Sequence, residues 1–425
     1  MLILQRSVVH RGPILWSALV LCFQLSAQSW QVFNTANAGL PSNSIIALAE
    51  DHDGIIWAAT DWGLCRYDGL EWSVIQESPG GLSSNSLRSL AVDEENRLWV
   101  GTDLYGIAIL DDDSWSYITM DDSPLPDNTI NAIHHDHRGW VWIGTPAGLA
   151  CITPDGWRVY NDTPDSYGGF EFFSPHIRDV VVREDELVCV ATMNGGLTYL
   201  TEEDHIYYTS YNSAFFDNSA NAIALDGNGD RWLASAAAGI IWHAGPHLGG
   251  PWFNYSVQNS GFPDNTITSI VIDADNKKYA GTEVGGIIVQ PDAGPWSVID
   301  TTNSDLPDAR IQALLLDQYG DLWAGTYSGG VAKMEISTGI QQQGITGPHV
   351  YPVPFYDHVW VEMPGVSSPM EWRLHSATGS CVAKGHTHMD SRMRLDLPGS
   401  QPGTYYLSII GPKTSWSVKL IRLSE

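Results

Sequence analysis

Short apolar runs recur along this chain at a nearly fixed interval, and Trp140-Val-Trp-Ile-Gly-Thr145 shows the plan most clearly. The plan returns seven times. An aspartate turn precedes each run, at Asp51, Asp93, Asp136, Asp226, Asp273 and Asp317, with Arg183 in the fourth copy. Nine residues after it stands a hydroxyl: Thr60, Thr102, Thr145, Thr192, Ser235, Thr282 or Thr326. Three residues before the hydroxyl comes Trp57, Trp99, Trp142, Cys189, Trp232, Tyr279 or Trp323. Immediately before it comes a small residue: Ala59, Gly101, Gly144, Ala191, Ala234, Gly281 or Gly325.

Each copy reads as four short strands: one around Ile130 and Ile133, one over Trp140 to Thr145, one starting at Gly148-Leu149, and one over Trp157-Arg-Val-Tyr160. The first two are apolar at nearly every position, as in a sheet covered on both faces. No segment shows helical periodicity. The aspartates are spaced 42 to 47 residues apart, close to the period of four-stranded propeller blades, each of which buries its faces only against its neighbours. The fold class predicted is therefore all-β, a seven-bladed β-propeller over residues 28–335.

The fourth-strand pattern also predicts how the ring closes. It occurs at Trp30, Trp72, Trp115, Trp157, His205, Trp252 and Trp296, so the first copy precedes the first full repeat, and no such strand follows Met334. The Trp30 strand is expected to complete the last blade, leaving no open edge.

The sequence Leu125-Pro-Asp-Asn-Thr-Ile130 with Asp136, Trp142-Ile-Gly-Thr145 and Gly148-Leu149 resembles the two-component-regulator propeller repeat of periplasmic sensor halves in Bacteroidetes hybrid histidine kinases. Farther on, Val350-Tyr-Pro-Val-Pro-Phe355, Trp372-Arg-Leu-His-Ser-Ala-Thr-Gly379, Leu395 to Leu407 and Lys419-Leu-Ile-Arg422 resemble the C-terminal sorting domain of the Bacteroidetes type IX secretion system. That resemblance implies a small β-sandwich over 348–425, export to the cell surface or medium, and the type IX machinery as a partner. Residues 336–347, without periodicity, make the linker.

Charge and cysteine usage fit an exported protein. Residues 1–27 carry Arg6 and Arg11, an apolar run from Ile14 to Leu25, and Leu25-Ser-Ala27, the pattern of a cleavable signal peptide. Its removal changes the formal net charge of −28 to −30, since only those two charges leave. Such a surface disfavours nucleic acid and anionic lipid, and no further run is long enough for a transmembrane segment. Cys65, Cys151 and Cys189 lie in strand-like segments, where free thiols act as small core residues, so no disulfide is expected.

Chemistry is harder to find. Asp226-x-Asn228-x-Asp230 and Asp51-x-Asp53 have the oxygen spacing that opens a calcium loop, but they lack a downstream glutamate and sit at turns where aspartate caps backbone amides. The run His134-His135-Asp136-His137 cannot converge on one zinc ion, because neighbours on a strand point to opposite faces. No catalytic residue, metal or cofactor is assigned.

The candidate ligand-binding residues are those that differ between equivalent positions at one end of the channel. Loops between strands two and three carry Trp62, Tyr105, Asn194, Glu283 and Tyr327, and inner strands carry Arg88, Asn131 and Arg178 five residues before the aspartate position. Both sets are expected on one face. Trp62, Arg88, Tyr105, Asn131, Arg178, Asn194 and Tyr327 would suit a carbohydrate or other extracellular polar ligand. Ordinary solvated loop residues are the alternative. Arg88, Arg178 and the nearby Arg310 either meet an acidic ligand or clamp onto Asp61, Asp103 or Glu283. The function expected is noncatalytic ligand binding, with a propeller lyase or hydrolase acting on extracellular polysaccharide as the alternative.

Overall fold

The computed structural model describes residues 30–335 apart from 164–166, 168–171, 202–204, 214, 246–248 and 292–293, together with seven strands between 349 and 422. The expected signal peptide, 1–27, and linker, 336–347, lie outside the described residues. Six of the repeats each form an antiparallel sheet of four consecutive strands, as in blade 3: Ala132–His135, Val141–Thr145, Gly148–Thr153 and Gly156–Tyr160. The seventh sheet joins the two ends of the ring. Trp30–Phe33 pairs with Val331–Met334, Trp30 opposite Met334, outside Leu322–Thr326 and Ile311–Leu316. The inner strand of each blade touches that of the next, and Ile311–Leu316 touches Ile45–Glu50 of blade 1, so the circle is complete.

The invariant residues now have physical causes. In blade 3, Asp136 Oδ1 accepts from the backbone N of Arg138 and Trp140, and Oδ2 accepts from the Trp142 indole at 3.1 Å. The same aspartate–tryptophan bond occurs in blades 1, 2, 5 and 7, and Tyr279 reaches Asp273 in blade 6. At the far end of the strand Thr145 Oγ1 donates to Gly148 O at 2.8 Å, closing the next turn. The nine-residue interval is thus one turn and one strand, fastened at both ends. A Cβ on Gly144 would stand 2.8 Å from the buried Ile177 of blade 4, and one on Gly325 would stand 2.7 Å from Ile45 of blade 1, which is why the position before the hydroxyl stays small. Ile45, Leu87, Ile130, Ile177, Ile267 and Ile311 are fully buried at these junctions, each contributing about 1.5–3 kcal/mol of transfer free energy.

Blade 4 departs from the pattern. Arg183 keeps the backbone turn, with its N–H donating to Leu187 O, and Glu186 takes the positive-φ position (φ 68°) that Gly139 fills in blade 3. Cys189 leaves room where tryptophan stands elsewhere, and its cross-strand partner is Tyr199. The aromatic has moved one strand outward.

The aspartate oxygens are occupied by the protein itself. Asp226 Oδ1 accepts from Asn228 N and Asp230 N, and Asp230 accepts from the Trp242 indole and Gly245 N. These are turn caps, as the spacing without a glutamate implied. His134 Nε2 accepts from Val182 N of blade 4, whereas His135 stands edge-on to Trp99 of blade 2. Cys65, Cys151 and Cys189 are buried free thiols.

The seven strands between 349 and 422 form a three-stranded and a four-stranded antiparallel sheet. Along Gly403–Ile410 the buried residues Tyr405, Leu407 and Ile409 alternate, the signature of a sheet with one covered face.

Candidate ligand face at the channel mouth

The inner strands deliver side chains to one end of the channel through an irregularity that the hydrophobic pattern does not announce. In six blades the register between strands one and two shifts at the same place, around residues 46, 88, 178, 221, 268 and 312. A bulge re-aims the side chain it carries. At these positions, and at Asn131 of blade 3, whose inner strand pairs without a register shift, side chains turn toward the neighbouring blade. Asn131 Nδ2 donates to Ile177 O at 2.7 Å, Asn221 Nδ2 to Ile267 O at 2.8 Å, and Thr268 Oγ1 to Ile311 O at 2.6 Å. One residue on, Ser89 Oγ donates to Ile130 O, and Asp179 Oδ2 accepts from Ile223 N. Asn131, a candidate for ligand contact, therefore spends its amide on the junction of blades 3 and 4.

The two candidate sets do share a face. Arg88 Nε lies 2.8 Å from Asp103 Oδ1 in the loop of its own blade, and its Nη1 is 3.3 Å from Asn131 Oδ1. Arg310 pairs with Glu283 and lays its guanidinium over the Tyr327 ring, 3.8 Å from the centroid. Both arginines thus follow the clamp alternative, and one face of Tyr327 is covered. Trp62 and Tyr105 are the open aromatic surfaces, 60% and 57% exposed. Asn194 takes a left-handed backbone (φ 65°), and both its N–H and its Oδ1 meet the Ser219 hydroxyl.

Arg178 is the exception. Among the described residues its one hydrogen-bond partner is the Met193 sulfur, 3.6 Å from Nη2, and its Nε is buried with no partner. Burial and the neighbouring charge of Arg88 lower its pKa, and burial with the charges of Arg178 and Arg88 lowers that of His176. Arg88 and Arg178 thus stand on blades 2 and 4 at the mouth, while Tyr327, Trp62 and Tyr105 stand on blades 7, 1 and 2. The sequence singled out neither His176 nor the capture of Tyr327 by Arg310, because both depend on which blade turns toward which.

A concavity lies elsewhere, a cleft of about 730 Å³ between blades 2 and 3, with Trp99, Tyr117 and Trp157 in its wall and Arg97 at its margin. Its polar groups are already engaged: Arg97 binds Asp93 and Glu95, and the Tyr117 hydroxyl donates to Gly81 O. A site for a polar ligand requires unspent donors and acceptors, so the channel mouth is the stronger candidate. Among the described residues no three His, Cys, Asp or Glu side chains converge as a metal set, and no helix is long and apolar enough to cross a membrane.

Comparison with known proteins agrees with this architecture. The two component regulator propeller family matches residues 39–62, 81–103, 124–147 and 305–328, within blades 1, 2, 3 and 7. No curated protein matches the chain by sequence. Among solved structures, the extracellular domain of a putative hybrid two component system from B. thetaiotaomicron is similar with a TM-score of 0.62 at 17% identity, over 93% of this chain and 57% of that one. PorZ of Porphyromonas gingivalis, described as an essential surface component of the type-IX secretion system, gives 0.56 at 17%, over 92% and 61%. Virginiamycin B lyase from Staphylococcus aureus gives 0.56 at 13%, over 73% and 99%. This chain thus spans less than two thirds of the first two, and at these identities the likeness is one of fold. The chain carries two component regulator propeller repeats, closed into a ring like those of extracellular domains of Bacteroides regulators.

Proposed function

We propose that the ring is a noncatalytic binding module that works outside the cell and holds a glycan or similar polar ligand against the channel mouth. The observation that carries this reading is the pairing of open aromatic faces, Trp62 and Tyr105, with the unspent guanidinium of Arg178 on the same face. Planar faces stack on sugar rings and directional donors select among hydroxyls and acids. Asn131, Arg88 and Tyr327 act mainly as supports that fix the shape of the mouth, because their polar groups or faces are held by protein partners. Asn194 shapes the rim.

Residues 1–27 are the proposed signal peptide, 28–335 the ring, 336–347 a linker, and 348–425 a sorting domain read by type IX secretion machinery. The surface role described for PorZ and the extracellular setting of the Bacteroides domains support an outer-membrane surface or secreted location. The likeness to virginiamycin B lyase extends to the fold alone.

Glycan-array binding by the full chain, followed by product analysis of every glycan retained, tests the reading. Retention of intact glycan is the expected result. Cleaved or unsaturated products would replace the binding module with a lyase or hydrolase, and an array without retention would remove the glycan.

A further inference from the structure

Resting on that reading, we infer that the ligand carries a carboxylate and that this group seats at Arg178, between blades 2 and 4 of the channel mouth. Three arginines stand on this face, and the structure separates them. Arg88 is held by Asp103 and Asn131, and Arg310 by Glu283 and Tyr327. Both have an acidic partner within the protein, although the Nε of Arg310 is also buried without a partner. Arg178 meets only a thioether sulfur, a weak acceptor, and turns a buried, partnerless Nε toward its surroundings. A guanidinium withdrawn from water without an acceptor is costly. In a chain with 49 acidic and 21 basic residues an acid partner would be easily supplied. The charged neighbour that acts on Arg178 is another cation, Arg88, and His176, two residues upstream, has a lowered pKa and brings no negative charge.

A carboxylate satisfies the geometry because its two oxygens match the parallel N–H groups of one guanidinium edge. Nε and one Nη of Arg178 form such an edge, and Nε, buried without a partner, becomes available once the Met193 side chain gives way. The weak contact from Nη2 to Met193 Sδ is readily exchanged for a charged oxygen. The sugar rings of the ligand then extend toward Trp62 and Tyr105, which leads to an acidic saccharide of the uronate kind. A phosphate would meet the same donors, so inorganic phosphate serves as the control for a bare anion.

The test titrates the full chain by calorimetry with oligogalacturonate, with its fully methyl-esterified form and with inorganic phosphate, for the natural sequence and for Arg178→Gln. The acid form is expected to bind about tenfold to hundredfold more tightly than the ester, as for one charged hydrogen-bond pair. Arg178→Gln should remove that difference, chiefly by weakening the acid form, and leave the melting temperature within a degree or so. Phosphate that competes with the acid form supports the same seat. Equal binding of acid and ester by the natural protein would overturn the carboxylate while sparing the binding-module reading. Failure of both to bind would overturn the two together. Loss of thermal stability in Arg178→Gln with unchanged discrimination would make Arg178 a structural residue, and Arg178→Lys, which keeps the charge but loses the fork, then shows whether geometry or charge is needed.

Discussion

The two faces of the ring use polar side chains in opposite ways. On the aspartate-turn face nearly every oxygen is consumed by the protein. Asp51, Asp93, Asp136, Asp226 and Asp317 each cap their turn and hold an indole, and Asn96 and Asn276 reach back to the turns of blades 1 and 5. On the opposite face Trp62, Tyr105, Leu104 and Val284 are open to solvent, and Arg178 keeps donors unspent. Repetition therefore marks the structural face and variation the proposed binding face. Substitutions on the first are expected to cost stability and leave ligand affinity alone, and those on the second the reverse.

The largest effect is expected from Trp142→Ala, which empties a 2% exposed indole site and leaves Asp136 Oδ2 without that donor. Core Trp→Ala changes cost about 3–5 kcal/mol, so urea unfolding should show a loss of that order while the folded fraction binds ligand as before. A loss of affinity in the folded fraction would mean that the two faces are not independent.

The next effect tests what stands in for the missing clamp of blade 4. Tyr199 hydroxyl accepts from Arg231 Nε at 2.9 Å and meets His243 Nδ1 at 2.7 Å, and Arg231 Nη2 also meets that nitrogen at 2.8 Å. Donation to Nδ1 from both sides keeps His243 neutral, and burial together with the Arg231 charge lowers its pKa to about 3. Tyr199→Phe removes one oxygen from a fully buried guanidinium, a change of about 1–3 kcal/mol. Unfolding free energy for this variant equal to that of the natural protein would show that blade 4 gains nothing from the knot.

The smallest of the three effects appears as pH dependence. Glu50 of blade 1 accepts from Gln318 N of blade 7 through Oε2, and Oε1 is buried without a partner among the described residues. Burial raises its pKa from 4.5 to about 7, only partly opposed by the Gln318 amide. The folded state then binds the proton more tightly than the unfolded state, so this group's contribution is fully present below pH 4.5 and is lost as pH rises through about 7. Glu50→Gln should melt higher than the natural protein at pH 8 and equally with it at pH 4. A constant difference across that range would refute a titration at this position.

Much of the ring was legible because its constraints are local and periodic. Asp136 and Trp142 lie six residues apart in one hairpin, and the Trp30 strand lacks a counterpart after Met334, so clamp and closure both leave a mark in the sequence. The exchange in blade 4 was half legible: Cys189 and Arg183 announce a vacancy, but that Tyr199 fills it is a matter of cross-strand register, and that Arg231 serves it is a matter of which face of blade 5 turns toward blade 4. At the mouth the seven candidate positions followed from their place in the repeat. Their partners were not legible, because no sequence signal tells whether Asn131 looks into the channel or across to Ile177 O.

The most direct measurement is calorimetric titration of a retained glycan into the natural protein and into the double variant Trp62→Ala, Tyr105→Ala, with melting temperatures recorded for both. These side chains are 60% and 57% exposed, so their removal should leave the melting temperature nearly unchanged. Affinity should fall by about 1–3 kcal/mol, on the scale of aromatic contact loss in a binding site. An affinity equal to that of the natural protein would place the ligand away from the channel mouth and contradict the division of labour between the two faces.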